Sequence, residues 1–461
     1  MLPYPRLALS TLALALGAAL AGPAAAADLM EVYELARAND PVIGAIDAQR
    51  LAIGENVVQA RALLLPNING TASFTDSDNE STFIDSIPSS DGSVTFGPGS
   101  GEGDTSNRTY RVTLLQSIFN FANYTRLAST KALKSRAEAD YEAALDNLFT
   151  RVATAYFGIL TARSNLEAAE AETKAVGRQL EQADQRFEVG LTAITDVHEA
   201  RARADNARAN QILAENQLNS AYELLFELTG QRIENVEPLD ETIPLEAPEP
   251  ADLDEWVRVA NEESPVLASR RFALESSEHD IRTAKAGHLP RLDGSIIYTD
   301  NSVWGTRSSN DFSFPADQTF EDTSIGVVLT VPIFEGFATQ SRVRQSVYNR
   351  DINADLLETD RRAVERTTRN AYRAVIAGIS EVEARKQALV SAQSALEATE
   401  AGFEVGTRTI VDVLLSQQQL FVAQREYNRA RHVYVVAGLI LKQTAGVIDV
   451  ADIQQVNSLL D

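Results

Sequence analysis

The stretch RFEVGLTAITDV, residues 186–197, recurs in outline as GFEVGTRTIVDV at residues 402–413. Both copies contain Phe-Glu-Val-Gly and end on Asp-Val. The glycine of each copy, Gly190 or Gly406, interrupts a long run with helical periodicity, which is typical of a turn between two helices. The two copies therefore predict two helical hairpins in one chain.

Further matches extend the similarity outward from these turns. The pairs are NDPV (39–42) with ESPV (263–266), and LPNI (65–68) with LPRL (289–292). Because the matches keep one order along the chain, they predict two tandem structural repeats, residues 28–245 and 252–461. The joint, residues 246–251, lies in a proline-rich, acidic stretch that suits an irregular linker.

Apolar residues at seven-residue spacing flank each turn and predict long antiparallel coiled coils. In the first hairpin, residues 120–229, Val152, Ile159, Leu166 and Leu180 share one register, and alanines form a second seam that allows close helix approach. The second hairpin, residues 337–445, repeats this pattern. A helix of about 65 residues would be about 100 Å long, which no compact domain needs.

Alternating apolar and polar residues predict two strands in each repeat. The strands are placed at about 68–76 and 109–118 in the first repeat and at about 292–299 and 323–332 in the second. Polar segments rich in Ser, Gly, Asp and Asn, residues 77–109 and 299–322, are expected to be long loops on the outer side. Aromatic residues near the strand ends fit either an interfacial girdle or a chance arrangement; they are Phe74, Tyr110, Tyr298 and Trp304.

Four such strands cannot close a barrel, because every backbone group in lipid must be paired and a four-stranded sheet keeps two edges. The chain is therefore predicted to oligomerise. A trimer would give twelve strands, although the sequence alone does not fix the number three.

The N-terminus and the composition indicate an exported protein. Residues 1–27 have one basic residue, a short apolar run and a small-residue end, which predicts a secretory signal peptide. No later run of apolar residues is long enough for a membrane helix. The formal charge is −24, or −25 without Arg6, which argues against nucleic acid as a partner. That acidity fits either ordinary solubility or a cation-favouring lumen.

Motifs for catalysis or metal binding are missing. The chain has no cysteine, and Asp76, Asp78 and Glu80 lack the glycine and glutamate of a calcium loop. The four histidines show no ligand spacing, and no Walker loop, dinucleotide fingerprint or nucleophile elbow occurs. We therefore expect no enzyme activity, no metal site and no cofactor.

Several longer segments together resemble the TolC family of outer-membrane efflux and type I secretion channels. They include QSIF (116–119), ATAYF (153–157), RFEVGL (186–191), AITDV (193–197) and VGTRTIVDVL (405–414). The resemblance covers nearly all of the chain after the signal peptide. It implies a mixed α and β fold, in which a homotrimer forms a twelve-stranded outer-membrane β-barrel continuous with a periplasmic α-barrel of twelve helices.

The resemblance also implies the function. The trimer would be the exit duct of a tripartite efflux pump or type I secretion system, crossing outer-membrane lipid and extending into the periplasm. Its partners would be a periplasmic adaptor protein and a proton-driven or ABC inner-membrane transporter. The turns at Gly190 and Gly406 would form the periplasmic tip and dock the adaptor.

Gating residues follow from the same resemblance. In the family, an arginine and a tyrosine link one hairpin to a Thr-Asp pair of the other, and two aspartate rings narrow the duct. Arg408, Thr195 and Asp196 match the link, and Asp412 matches the constriction. Phe403 stands at the expected tyrosine, and Leu415 at the expected second aspartate. The resemblance thus implies a singly latched gate with one acidic ring.

Two other interpretations of the residues remain open at this point. A periplasmic structural coiled coil without a pore would share the heptads but form no membrane-embedded trimer. A secreted surface protein or enzyme would conflict with the strand pattern and with the missing catalytic motifs.

Overall fold

The computed structural model describes residues 26–88, 90–309 and 312–460. Of the predicted signal peptide, only the last two residues fall within these ranges. The elements in chain order are α1 (Leu29–Asn39), α2 (Pro41–Ala62), β1 (Asn67–Pro88), β2 (Val94–Phe119), α3 (Phe121–Glu188), α4 (Ile194–Thr229), α5 (Leu253–Glu263), α6 (Pro265–Lys285), β3 (Arg291–Ser309), β4 (Phe312–Pro315), β5 (Gln318–Thr330), α7 (Ala338–Glu404), α8 (Ile410–Ala445) and α9 (Val450–Asn457). The predicted class, mixed helix and sheet, is confirmed.

The chain divides into two units. Among the described residues, the first unit comprises 26–50, 137–270 and 356–460, and the second comprises 51–88, 90–136, 271–309 and 312–355. Both long outgoing helices, α3 and α7, contribute to each unit.

The core of the first unit is built around the middle of α3. Leu148, Val152, Tyr156 and Ile159 are fully buried there, at the three- and four-residue spacing that puts side chains on one helix face. Buried residues of α1, α4, α8 and α9 pack against them. The Tyr156 hydroxyl lies 2.9 Å from the carbonyl oxygen of Glu237, which holds the segment after α4 against the core.

Helix ends in this unit follow local capping rules. The Asp28 carboxylate accepts from the backbone N–H of Glu31 at 2.7 Å and starts α1. The returning helices α4 and α8 both stop at a glycine in the left-handed conformation, Gly230 (φ +66°) and Gly446 (φ +73°). A left-handed residue at this position is the common end of an α-helix, and glycine adopts it without steric cost.

The second unit carries an antiparallel sheet in the order β1, β2, β3, β5, and the short β4 extends the β5 side of the sheet along β3. Pairing of β1 with β2 runs without interruption from Asn67 opposite Leu115 to Pro88 opposite Val94. None of the helices among the described residues is long and apolar enough to cross a membrane.

The strands are longer than the sequence predicted. The segments expected as loops, residues 77–109 and 299–322, are largely strand, with a turn at residues 90–92 between β1 and β2. The loop prediction depended on Ser, Gly, Asp and Asn content. These residues still offer one N–H and one carbonyl each, so the backbone ladder continues even where the side chains carry no alternating apolar pattern.

Candidate functional site at the hairpin turns

Each long hairpin turns within five residues. Helix α3 ends at Glu188 and α4 begins at Ile194; α7 ends at Glu404 and α8 begins at Ile410. Gly190 has φ +75° and Gly406 φ +78°. Beyond the adjacent residues, no described atom lies within 4 Å of the position that a Cβ would occupy at either glycine. The backbone conformation, and not crowding, is therefore what requires glycine here.

In the first turn, Asp196 fixes the start of α4. The Thr192 hydroxyl donates to the Asp196 carboxylate, and the Asp196 N–H donates to the Ala193 carbonyl at 3.1 Å. Ala193 stands at the cap position and has no side chain that can cap. Thr192 and Asp196 therefore hold the turn together, while the neighbouring Thr195 side chain is exposed.

In the second turn, Thr409 and Asp412 form a capping box at the start of α8. The Asp412 carboxylate accepts from both the Thr409 N–H and the Thr409 hydroxyl at 2.9 Å, and the Asp412 N–H lies 3.3 Å from that hydroxyl oxygen. These hydrogen bonds, together with the nearby positive charge of Arg408, lower the pKa of Asp412 from its ordinary value. Asp412 is therefore an ionised carboxylate at neutral pH.

The two turns of one chain meet through an arginine and an aromatic ring. The Arg186 guanidinium carbon lies 5.3 Å from the centroid of the Phe403 ring, within cation–π range. Around this pair is a groove of about 300 Å³ that is also lined by Thr192, Asp196 and Thr409. In the sequence, Phe403 stands out only as a tyrosine replaced by a residue without a hydroxyl, and Arg186 of the RFEVG motif is the signal that indicates this contact.

Arg408 is exposed, and within the described part of this single chain it forms no hydrogen bond or ion pair with Thr195 or Asp196. Its electrostatic effect is on Asp412, four residues later. Within the described part of the chain, the charge of Arg408 thus acts on Asp412, and no bond joins Arg408 to Asp196. Leu415, at the expected second aspartate, is also exposed.

The aromatic residues that the sequence placed near strand ends lie within the longer strands of the sheet. The rings of Phe74 and Trp304 approach to 6.0 Å, and the Arg108 guanidinium lies 5.2 Å from the Tyr110 ring. Across residues 26–88, 90–309 and 312–460, no three His, Cys, Asp or Glu side chains converge as a metal site would require.

The family model described as outer membrane efflux protein matches residues 32–231 and 256–447. The chain belongs to this family. The outer membrane protein TolC of Vibrio cholerae is 36% identical over 94% of this chain and 94% of its own length. The alkaline protease secretion protein AprF of Pseudomonas aeruginosa is 27% identical over 93% of this chain and 86% of its own. The crystal structure of the Campylobacter jejuni CmeC outer membrane channel superposes with a TM-score of 0.72 at 18% identity, covering 94% of this chain and 90% of that one.

Membership of the outer membrane efflux protein family confirms the resemblance drawn from the sequence and the predicted location in the outer membrane. It also confirms export as the function. The alternative of a periplasmic coiled coil without a pore does not fit a family of outer-membrane efflux proteins. The relatives named above are a channel, a secretion protein and an outer-membrane protein, which is consistent with a protein that is not an enzyme.

Proposed function

We propose that three copies of this chain form one gated exit duct. Their strands would close a twelve-stranded outer-membrane barrel, and their long hairpins would form a twelve-helix barrel in the periplasm. Small molecules or proteins would leave through the common lumen. The observation that carries the proposal is a sheet with one apolar face and two unpaired edges.

The unpaired edges are strands β1 and β5. Among the described residues β1 pairs only with β2, and β5 only with β3. Each N–H or carbonyl group left unpaired in lipid costs several kcal/mol. A second copy that presents β1 to β5 would satisfy both edges, and repetition around an axis closes the sheet. The family resemblance supports three as the number of copies.

The two faces of the sheet differ in the way that lipid and lumen require. Ile68, Leu114, Ile296 and Ile325 lie opposite one another in a row across the four strands, and Ile325 is 76% exposed. On the other face, a row consists of Thr71, Arg111, Thr299 and Asp322. The first face would contact lipid, and the second would line a water-filled lumen.

The same element order occurs twice, with two helices, a strand hairpin and a long helical hairpin in each of residues 28–245 and 252–461. This order supports the tandem duplication as the origin of the four strands and four long helices in each protomer.

The hairpin turns are the proposed docking and gating end. Val189, Leu191 and Val405, beside the two turn glycines, are largely exposed and offer an apolar surface to a periplasmic adaptor, which would connect the duct to a proton-driven or ABC transporter. Because the described part of one chain does not join Arg408 to Thr195 or Asp196, the proposed latch would act between neighbouring protomers. Asp412 would contribute one acidic ring.

The test compares two lysine substitutions at neighbouring positions of β5. Ile325→Lys places a charge on the proposed lipid face, at a cost of about 2–4 kcal/mol near the bilayer centre, so we expect loss of the heat-modifiable trimer and of channels in planar bilayers. Ser324→Lys lies on the proposed lumen face and should preserve both, with altered ion selectivity. Equal tolerance of the two changes, or a wild-type protein without channel activity, would refute the proposed barrel.

A further inference from the structure

Helices α3, α4 and α8 line a second, half-open pocket of about 370 Å³, farther along these helices from the hairpin turns. Its apolar wall includes Val176, Leu414 and Phe421. Its polar wall includes Glu172 and Gln417, together with Asn206 and Asn210 of α4. All of these residues belong to the first unit. The volume lies at the lower end of the range of about 300–1,000 Å³ typical of small-molecule sites, and spaces between bundled helices are common places for such sites.

Glu172 is the unusual residue in this pocket. It is only 9% exposed and accepts no hydrogen bond from the described residues. Its one ionic neighbour among them is Arg425, whose Nη1 lies 3.8 Å from Oε2, too far for a hydrogen bond. The Glu172 side chain keeps 12% of its surface exposed, and its carboxylate is open to a further donor in the pocket.

A second acceptor in the pocket also lacks a donor. The Gln417 side-chain oxygen is buried and has no hydrogen-bond partner among the described residues. The Arg203 guanidinium of the pocket has an ionic neighbour of its own, because it lies 3.5 Å from the Glu199 carboxylate one turn earlier on α4. The pocket therefore presents a buried carboxylate and an amide oxygen to which this part of the chain donates no hydrogen bond.

We propose that this pocket binds a small organic ammonium ion with an apolar body. The ammonium group would donate to the Glu172 carboxylate and the Gln417 oxygen, and the body would pack on Leu414 and Phe421. An anion is excluded by the buried carboxylate, and a neutral apolar molecule would leave both acceptors without donors. The inference goes beyond the proposed export function, because it concerns recognition by the helical wall and not passage through the lumen.

The experiment is a calorimetric titration of the full-length protein in detergent with phenethylammonium, compared with 2-phenylethanol, which replaces the ammonium by a hydroxyl. We expect the amine to bind at least about tenfold more tightly than the alcohol, since removing a charge-assisted partner typically costs a factor of this order. Glu172→Gln should abolish this preference, while Glu170→Gln, an exposed change of the same charge on the same helix, should leave it intact.

A filling variant separates loss of the site from loss of the fold. Ala202→Met, on the α4 wall of the pocket, should reduce amine binding while Glu172 and the helical circular dichroism spectrum are unchanged. Equal amine affinity in wild type and Glu172→Gln, equal weakening by Glu170→Gln, or no amine binding at all would overturn the proposal. None of these results depends on conductance, so they are distinct from failure of the proposed channel.

Discussion

Buried His432 predicts a stability loss in mild acid. Its Nδ1 lies 2.8 Å from the Thr161 hydroxyl oxygen, which also lies 2.8 Å from the Phe157 carbonyl oxygen. Because the carbonyl can only accept, the hydroxyl donates to it and His432 donates from Nδ1. Burial first, and then the positive charges of Arg431 and Arg163, lower the pKa of His432 to about 4.

The size and sign of the effect follow from linkage. A histidine with an ordinary pKa near 6.5 when unfolded and about 4 when folded binds more protons in the unfolded state between these values. Stability is therefore lost as the pH falls from about 6.5 to about 4. The loss is about 2 kcal/mol at pH 5 and about 3 kcal/mol once the pH is below 4.

A second group in the same unit acts in the opposite direction. Burial, together with the charge of Glu142, raises the pKa of Asp146 to about 6. Stability from this group is lost as the pH rises from about 4 to about 6. Its contribution is smaller, because Asp146 keeps solvent contact. The two groups partly cancel in the wild type, so single variants are needed to separate them.

The assay is the apparent midpoint of urea or thermal unfolding of the detergent-solubilised protein near pH 7 and near pH 5. His432→Asn keeps a donor near the Nδ1 position but cannot be protonated, so its stability should fall less than that of the wild type on acidification. His198→Asn, at an exposed position, should behave as wild type, and Asp146→Asn should steepen the loss. An unchanged pH dependence in His432→Asn would refute the reasoning.

Three further predictions concern the turns and the sheet. Asp412→Asn should reduce cation selectivity and block by trivalent cations, and unchanged permeability ratios would show that Asp412 does not line the constriction. Arg408→Ser should raise single-channel conductance and vancomycin sensitivity; if neither changes, the closed state depends on coiled-coil packing instead. Gly305→Ala should prevent trimer assembly, because a Cβ there would overlap the Asp104 carbonyl oxygen. Gly70→Ala, with open space around it, should assemble normally in the same gel assay.

Periodic side-chain patterns explain which helices and strands could be predicted from the sequence. The long helices repeat one apolar register over many turns, and alternation in β5 around Ile325 marks a two-faced strand. The outer parts of β1 and β2 lack any such pattern. Their extension to Pro88 and Val94 depends on backbone pairing with the opposite strand, which side-chain composition does not record.

The sequence predicts which residues belong to the candidate site, but not which of them contact one another. The sequence identified Arg408, Asp196 and Asp412, yet a linear motif cannot show that Asp412 bonds to Thr409 and Asp196 to Thr192. It also could not show that the arginine at position 186 faces the phenylalanine at position 403, because the two belong to different hairpins and lie far apart along the chain. Such contacts arise only when the two coiled coils are packed side by side.

Asp412 has two proposed tasks, and the structure allows them to be separated. One carboxylate oxygen, Oδ2, accepts both hydrogen bonds from Thr409, so it already serves the start of α8. The negative charge remains available to the lumen in a trimer, since hydrogen bonds that lower the pKa keep the group ionised. Asparagine at this third helical position retains one acceptor oxygen for the Thr409 N–H of the capping box, but carries no charge. The Asp412→Asn channel should thus keep its thermal stability and lose cation preference, whereas Asp412→Ala should lose both.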